Sequence, residues 1–251
     1  MNQIKTVLSL VTLLGSSSVA IPAQAASTSL VKNIVLVHGA FADGSGWKAV
    51  SEILTRDGYK VSMVQPPETS LDDDIAATNR VLELQDGPVV LVGHSYGGAI
   101  ITSAGNNAHV KSLVYIAAFQ PDTGESIASL GASKPPAGAA LKASPDGFLY
   151  IEPDAFHADF AADLPADEAS FMARSQVELS VRAATAVATS PAWKTKPSFA
   201  VVATLDRSIN PELERSMYKR SHSKVIELPS SHAAYITHPT EVAAFIEMAA
   251  Q

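Results

Sequence analysis

The apolar run Val89-Val90-Leu91-Val92 halts at Gly93-His94-Ser95-Tyr96-Gly97-Gly98, so a serine with glycine two residues to either side closes a strand-like segment and opens a helix-like one. A serine on so tight a turn is held in strained backbone, and only tiny residues fit two positions before and after it; Gly93 and Gly97 meet that demand. Its hydroxyl is a weak nucleophile until an imidazole takes the proton and a carboxylate beyond the imidazole fixes the tautomer. Two further strand-like runs offer both partners. Residues 197–204 lead into Leu205-Asp206-Arg207, and residues 224–228 lead through Pro229-Ser230-Ser231 to His232. Ser95, Asp206 and His232 each follow a strand, which predicts nucleophile, acid and base for acyl transfer near pH 7. The oxyanion formed in that chemistry needs preorganised donors, and the predicted ones are the amides of Tyr96, directly after the serine, and Ala40, in the His38-Gly39-Ala40-Phe41 loop behind the run at 33–37.

Residues so distant in sequence meet only if their strands share one open sheet with the carboxyl ends on a common edge, where crevices gather. Apolar runs predict strands at 33–37, 60–64, 88–93, 110–117, 197–203 and 224–228, and helical spacing predicts helices at 46–57, 71–85, 97–107, 211–221 and 238–249. This alternation implies an α/β fold whose mostly parallel sheet of about six strands is flanked by helices. The stretch between residues 117 and 197 is too long for an ordinary connection and reads as a helical cap insertion over about 121–192. Within it, Pro165-Ala166-Asp167-Glu168 suits a helix start, and Phe171, Met172, Ser175, Leu179 and Arg182 continue at roughly helical spacing. Phe41 and Phe119, beside the predicted site, and Phe148 and Phe171 in the cap are candidate substrate contacts, with Tyr150, Phe156, Phe160 and Met172 as further apolar walls; packing within the cap is the competing role for each cap residue. Residues 130–144, rich in Ala, Gly, Lys and Pro, predict a mobile loop at the pocket mouth.

The phrases VLVHGAFADGSGW, VVLVGHSYGGAI, LVYIAAFQPDTGES and SSHAAYITHP together resemble the α/β-hydrolase superfamily across nearly the whole chain after residue 25. HGAF and AAFQPD narrow the resemblance to the branch of plant methyl esterases of the salicylate-binding type, plant hydroxynitrile lyases and bacterial esterase-like relatives. By motif position the resemblance implies Ser95 as nucleophile, Asp206 as acid, His232 as base and the Ala40 and Tyr96 amides as oxyanion hole. It implies no cofactor and no metal. The lyases of this branch carry threonine at the second position of the HG motif and lysine directly after the catalytic histidine; here those positions are Gly39 and Ala233, so a cation for departing cyanide is lacking and ester hydrolysis is favoured. Lyase and cofactor-free oxygenase chemistry stay as the alternative reading. Asp122 and Glu125, after the strand at 110–117, are a second acid location in this fold, but the loop of Asp206 and its Pro211 match the usual one. His238, ahead of Pro239 at a helix start, is the rival base, while His38 and His94 read as structural.

The chain has 251 residues, 47% hydrophobic and 17% charged, with no linker-like run, which suits one α/β domain over 26–251. A net charge of -7 weighs against nucleic acid or an anionic membrane as partner, leaving a small-molecule ester as the expected one. With no cysteine there is neither a disulfide nor a thiol nucleophile. Lys5, the apolar residues 7–14 and Ala23-Gln24-Ala25 read as a cleavable signal peptide over 1–25, implying export to periplasm or medium. Gly15 and Pro22 interrupt an apolar stretch already shorter than the roughly 20 residues of a membrane span, so no stable insertion is expected. Oligomeric state is not legible.

Overall fold

A computed structural model describes residue 1 and residues 30–138 and 141–251, so the expected signal peptide lies, but for Met1, outside the described residues. Along the chain run β1 (Asn33–Val37), α1 (Lys48–Arg56), β2 (Lys60–Val64), α2 (Leu71–Leu82), β3 (Val89–Ser95), α3 (Gly97–Ala104) and β4 (Val110–Ala118). An insertion follows with α4 (Ile127–Ser133), β5 (Lys142–Ala143), β6 (Phe148–Tyr150), α5 (Pro153–Asp159), α6 (Ala166–Arg174), β7 (Leu179–Ser180) and α7 (Val181–Thr185). The chain then closes with β8 (Ser198–Ala203), α8 (Pro211–Arg220), β9 (Lys224–Leu228), α9 (Ala234–Thr237) and α10 (Pro239–Met248).

Six strands form one sheet in the order β2-β1-β3-β4-β8-β9, and every neighbouring pair is parallel. β1, β3 and β8 are buried at every residue, which is why their sequences are unbroken apolar runs: helices cover both faces. The edge strands β2 and β9 are largely exposed and carry Lys60, Lys224 and Glu227, charges that discourage pairing with another chain. Alternate residues serve two cores: Ile34, Leu36, Val90 and Val92 pack with Trp47, Val50, Leu54 and Phe245 on the α1/α10 face, while Val35, Val37 and Leu91 pack with Ile100, Ile101 and the insertion on the other. Helix starts are set locally. The Ser70 hydroxyl accepts from Asp73 N to open α2, and Asn210 caps α8 ahead of Pro211.

The insertion departs from the purely helical cap expected. It contains a three-stranded antiparallel sheet, β5-β6-β7, beside its helices. The helix beginning at Ala166 stops at Arg174 rather than running through Arg182, so Leu179 sits in β7 and Arg182 in α7. The cause is Gln176: its side chain accepts from Ile151 N (3.0 Å) and donates to Ile151 O (2.9 Å), drawing the chain away from helical continuation and toward β6. The C-terminal helix begins after a separate turn, α9, since Pro239 lacks the N–H that would join the two.

Candidate active site

β1 and β3 are the neighbours at which the chain reverses its direction of growth across the sheet, and Val37 pairs with Gly93, so the loops after both strands lie side by side. Ser95 tops that junction with φ +52, the strained geometry expected of an exposed-hydroxyl turn, and is 8% accessible. The flanking glycines are dictated by contact: a Cβ on Gly93 would stand 2.5 Å from the Gly97 carbonyl oxygen, and one on Gly97 would stand 2.7 Å from that of His38. Across the ladder Ser95 pairs with Ala118 and His94 with Ile116, so Ala117, at φ +43, bulges out beside the serine. Ala40 and Tyr96 line the cavity that Ser95 faces, and among the described residues neither amide donates to a protein acceptor. Two free N–H groups beside a serine are what an oxyanion requires.

Asp206 is buried, and its carboxylate is fixed by the turn that carries it. Oδ1 accepts from Ser208 N (2.7 Å) and Ile209 N (2.9 Å), leaving Oδ2 to take His232 Nδ1 at 2.6 Å. With Nδ1 as donor, the neutral ring keeps Nε2 as its acceptor. His232 lines the same cavity as Ser95. His94 ties the two loops together: its Nε2 donates to the His232 carbonyl at 3.0 Å, and burial holds its pKa far below the ordinary histidine value, so the ring stays neutral. The Phe160 ring stands edge-on to His232, with centroids 4.8 Å apart. Asp122 and Glu125 are engaged elsewhere, by Lys194 and by Arg220 respectively, the latter at 2.8 Å. The His238 ring contacts Thr237 Oγ1 at 2.9 Å and is no part of the cavity wall.

The cavity measures about 460 Å³ and is walled mainly by apolar groups. Of the four candidate substrate contacts, Phe41 and Phe119 line it. Phe148 is half-buried off the wall, and Phe171 is 63% exposed and faces a second hollow of about 520 Å³ together with Met172. Phe156 and Phe160 stack on each other, centroids 4.8 Å apart, as core of the insertion. The wall is completed by Leu149, Ile151, Leu179 and Ile209, which a search for aromatic residues passes over. Gly131, Pro135, Pro136, Gly138 and Leu141 also line it, so the 130–144 stretch does reach the pocket, but it includes the end of α4 and strand β5 and is bound to the acid loop: Gly138 N donates to Arg207 O (2.8 Å) and Asn210 Nδ2 to Pro135 O (3.1 Å). Arg207 pairs with Asp159 at 2.9 Å, and these two bring fixed charge to the wall as a neutralised pair. Its signal in sequence is a basic residue directly after the predicted acid.

Beneath the loop at 38–41 lies a buried polar group. The ring nitrogens of His38 stand 3.0 Å from the Gly39 carbonyl oxygen and 3.1 Å from Gln65 Oε1, which orients the loop. The Tyr96 hydroxyl donates to Asp74 Oδ2 at 2.5 Å, and Asp74 Oδ1 accepts from Glu68 N at 2.7 Å. The Glu68 carboxyl has no hydrogen-bond partner, and burial, reinforced by the Asp74 charge, raises its pKa well above the usual range. At the position where the resembling lyases carry threonine, a Cβ on Gly39 would fall 2.5 Å from the Ser95 Cβ and 2.7 Å from the His94 carbonyl oxygen, so this backbone has no room for one. Ala233, after His232, is buried and supplies no charge. Among the described residues, no cluster of three or more His, Asp or Glu could hold a metal ion, and no helix is long and apolar enough to cross a membrane.

Comparison with known proteins agrees with this fold. The alpha/beta hydrolase family model matches residues 34–245. A carbendazim hydrolyzing esterase of Nocardioides sp. (strain SG-4G) is 33% identical over 116 residues, 39% of this chain and 46% of that protein. Methylesterase 8 of Arabidopsis thaliana is 29% identical over 107 residues, 37% of this chain and 39% of that protein, which bears out the resemblance to plant methyl esterases. The matches span less than half the length of both relatives. Among solved structures, the pyrethroid hydrolase PytH superposes with a TM-score of 0.74 at 21% identity, covering 88% of this chain and 98% of that one, a likeness of fold.

Proposed function

The chain belongs to the alpha/beta hydrolase family, and from that premise we propose that it is an exported serine carboxylesterase acting on small to medium uncharged esters through an acyl-enzyme. The observation that carries the reading is the Asp206–His232 hydrogen bond of 2.6 Å at the wall of a cavity that also holds Ser95 on its strained turn. In this reading His232 Nε2 takes the Ser95 proton as Oγ adds to the ester carbonyl, and the amides of Ala40 and Tyr96 receive the oxyanion. Collapse of the tetrahedral species breaks the ester C–O bond while His232 returns the proton to the departing alcohol. Water then enters, gives a proton to His232 and attacks the acyl carbon, releasing the acid and restoring Ser95.

The cavity volume suits a substrate of up to drug-like size, and a wall whose charges cancel favours an uncharged alkyl or aryl ester. That the similar proteins are named esterases supports the reaction class. Export rests on the signal-like residues 1–25. Its check is the N-terminal residue of protein recovered from periplasm or medium, expected to be Ala26.

The mechanism is tested by Ser95→Ala with a p-nitrophenyl ester panel of graded acyl length. A loss of about 10⁴-fold or more in kcat is expected, together with disappearance of labelling by a fluorophosphonate. Retention of more than a trace of ester cleavage overturns it.

A further inference from the structure

The loop that carries His232 is held from the insertion by a carboxylate outside the cavity. Asp163 lies between α5 and α6 and does not line the pocket. Its Oδ2 accepts from Ser231 N (2.9 Å) and Ser230 Oγ (3.1 Å), and its Oδ1 accepts from Ser231 Oγ. Ser231 immediately precedes His232, and its Oγ also contacts Phe160 O (3.3 Å) and Ala233 N (3.3 Å), so one hydroxyl joins both sides of the histidine to the insertion. The Phe160 ring set against His232 comes from that same segment. On the opposite side His232 is held by His94 and Asp206.

We propose that Asp163 is a positioning residue: it clasps the insertion onto the base loop, so that His232 takes its working orientation only when the pocket roof is seated. The chemistry of the loop explains the residue type. Ser231 presents its N–H and hydroxyl to one spot, where the Ser230 hydroxyl, shared with the Ser231 carbonyl oxygen at 2.8 Å, also reaches, and a carboxylate, with two acceptor oxygens and no donor, can receive all three. Hydrogen bonds to an ionised acceptor are about twice as strong as neutral ones, so this exposed aspartate fixes a loop whose serines are buried. Asp163 touches neither substrate nor the reacting atoms. It acts through Ser231, and since sub-ångström placement of a base governs turnover, its loss falls on kcat.

This inference rests on the serine-esterase reading, and the experiment separates the two. Wild type, Ser95→Ala, Asp163→Ala and Asp163→Asn are compared on one p-nitrophenyl ester, with kcat and KM resolved and unfolding midpoints recorded. Asp163→Ala is expected to lower kcat about 10- to 100-fold with KM within about threefold. Asp163→Asn is expected to recover to within about fivefold of wild type, because its carbonyl keeps two donors and Ser231 Oγ can accept from its amide. A purely electrostatic role at the start of α6 predicts equal loss in the two variants, since both substitutions remove the same charge. Equal loss in the two variants, no loss in Asp163→Ala, or a loss confined to KM each overturns the proposal. Should Asp163→Ala fail to fold, Ser230→Ala/Ser231→Ala removes two of the three donors from the other side and must show the same loss in kcat. An active Ser95→Ala brings down the serine reading itself, and the clasp with it.

Discussion

Replacing Asp206 by asparagine keeps the size of the side chain and reverses its hydrogen-bonding sense at one atom. Ser208 N and Ile209 N point at Oδ1 from 2.7 and 2.9 Å, so that position must remain an oxygen. The new NH₂ is thereby forced into the place of Oδ2, 2.6 Å from His232 Nδ1. Two donors cannot share that contact, so Nδ1 becomes the acceptor, the ring proton moves to Nε2, and Nε2 can no longer take the Ser95 proton. Holding the base in the wrong tautomer costs about 10⁴ in kcat, which at 1.36 kcal/mol per factor of ten is about 5.4 kcal/mol. KM should stay within about threefold, because Asp206 does not line the cavity. Asn keeps both amide partners, so its unfolding midpoint should lie near that of wild type. Asp206→Ala should invert the order: the buried Ile209 amide loses its acceptor, at about 1–3 kcal/mol, and the half-buried Ser208 amide loses it too, yet the ring is free to choose its tautomer and turnover is no slower than in the Asn variant. Steady-state kinetics on a p-nitrophenyl ester with thermal unfolding of both variants measures the crossing. An Asn variant that keeps more than a tenth of wild-type kcat refutes the assignment of Asp206 and His232 as acid and base.

Three other substitutions probe the surroundings. Tyr96→Phe leaves the backbone donor in place and removes the hydroxyl from Asp74, so urea unfolding should show a loss of about 1–3 kcal/mol while kcat changes less than about tenfold; a collapse of kcat with intact stability would place the phenol in the chemistry. Gly39→Thr puts a Cβ into the Ser95 Cβ and the His94 carbonyl, and by displacing the oxyanion loop should cost about 10²- to 10³-fold in ester turnover; wild-type turnover from this variant would contradict the packing. Glu68→Gln tests the buried acid. Burial raises its folded pKa well above the ordinary glutamate value, so the folded state holds the proton more tightly, and its contribution is fully present below the ordinary value and lost as pH climbs from there toward the folded value. The midpoint of the Gln variant should therefore gain on wild type as pH is raised from about 4 toward 8. A gap that stays flat or closes over that range means that Glu68 is ionised in the fold.

What was legible in the chain and what was not divides along the length of the elements. The strands at 33–37, 60–64 and 224–228 match β1, β2 and β9 residue for residue, since each is a run of apolar or alternating residues cut off by polar or turn-forming neighbours. The predicted triad depends on β3, β8 and β9, because Ser95 ends the first and Asp206 and His232 follow the carboxyl ends of the other two on a shared edge, and Asp206 and His232 do come within 2.6 Å. The cavity wall depends on β6 and β7, three and two residues long, too short for any alternation to register. There a single step of register decides everything. β6 pairs Phe148 with Ser180 and Leu149 with Leu179, and successive side chains point to opposite faces, so Leu149 and Leu179 together meet the cavity while Phe148 turns away from it. Choosing Phe148 for its aromatic ring selects on size, whereas the fold selects on parity. Phe171 fails by its helix face: α6 buries Ala169 and Ala173 and leaves Phe171 63% exposed, and the helix ends at Arg174, where Gln176 bonds across to Ile151, a bridge over 25 residues that leaves no periodic trace. The proposed acid–base pair is thus encoded locally at strand ends, while the shape of the pocket is encoded in pairings within the insertion, so substitutions that shift β6 by one residue should exchange Phe148 for Leu149 at the wall and change ester preference without touching Asp206 or His232.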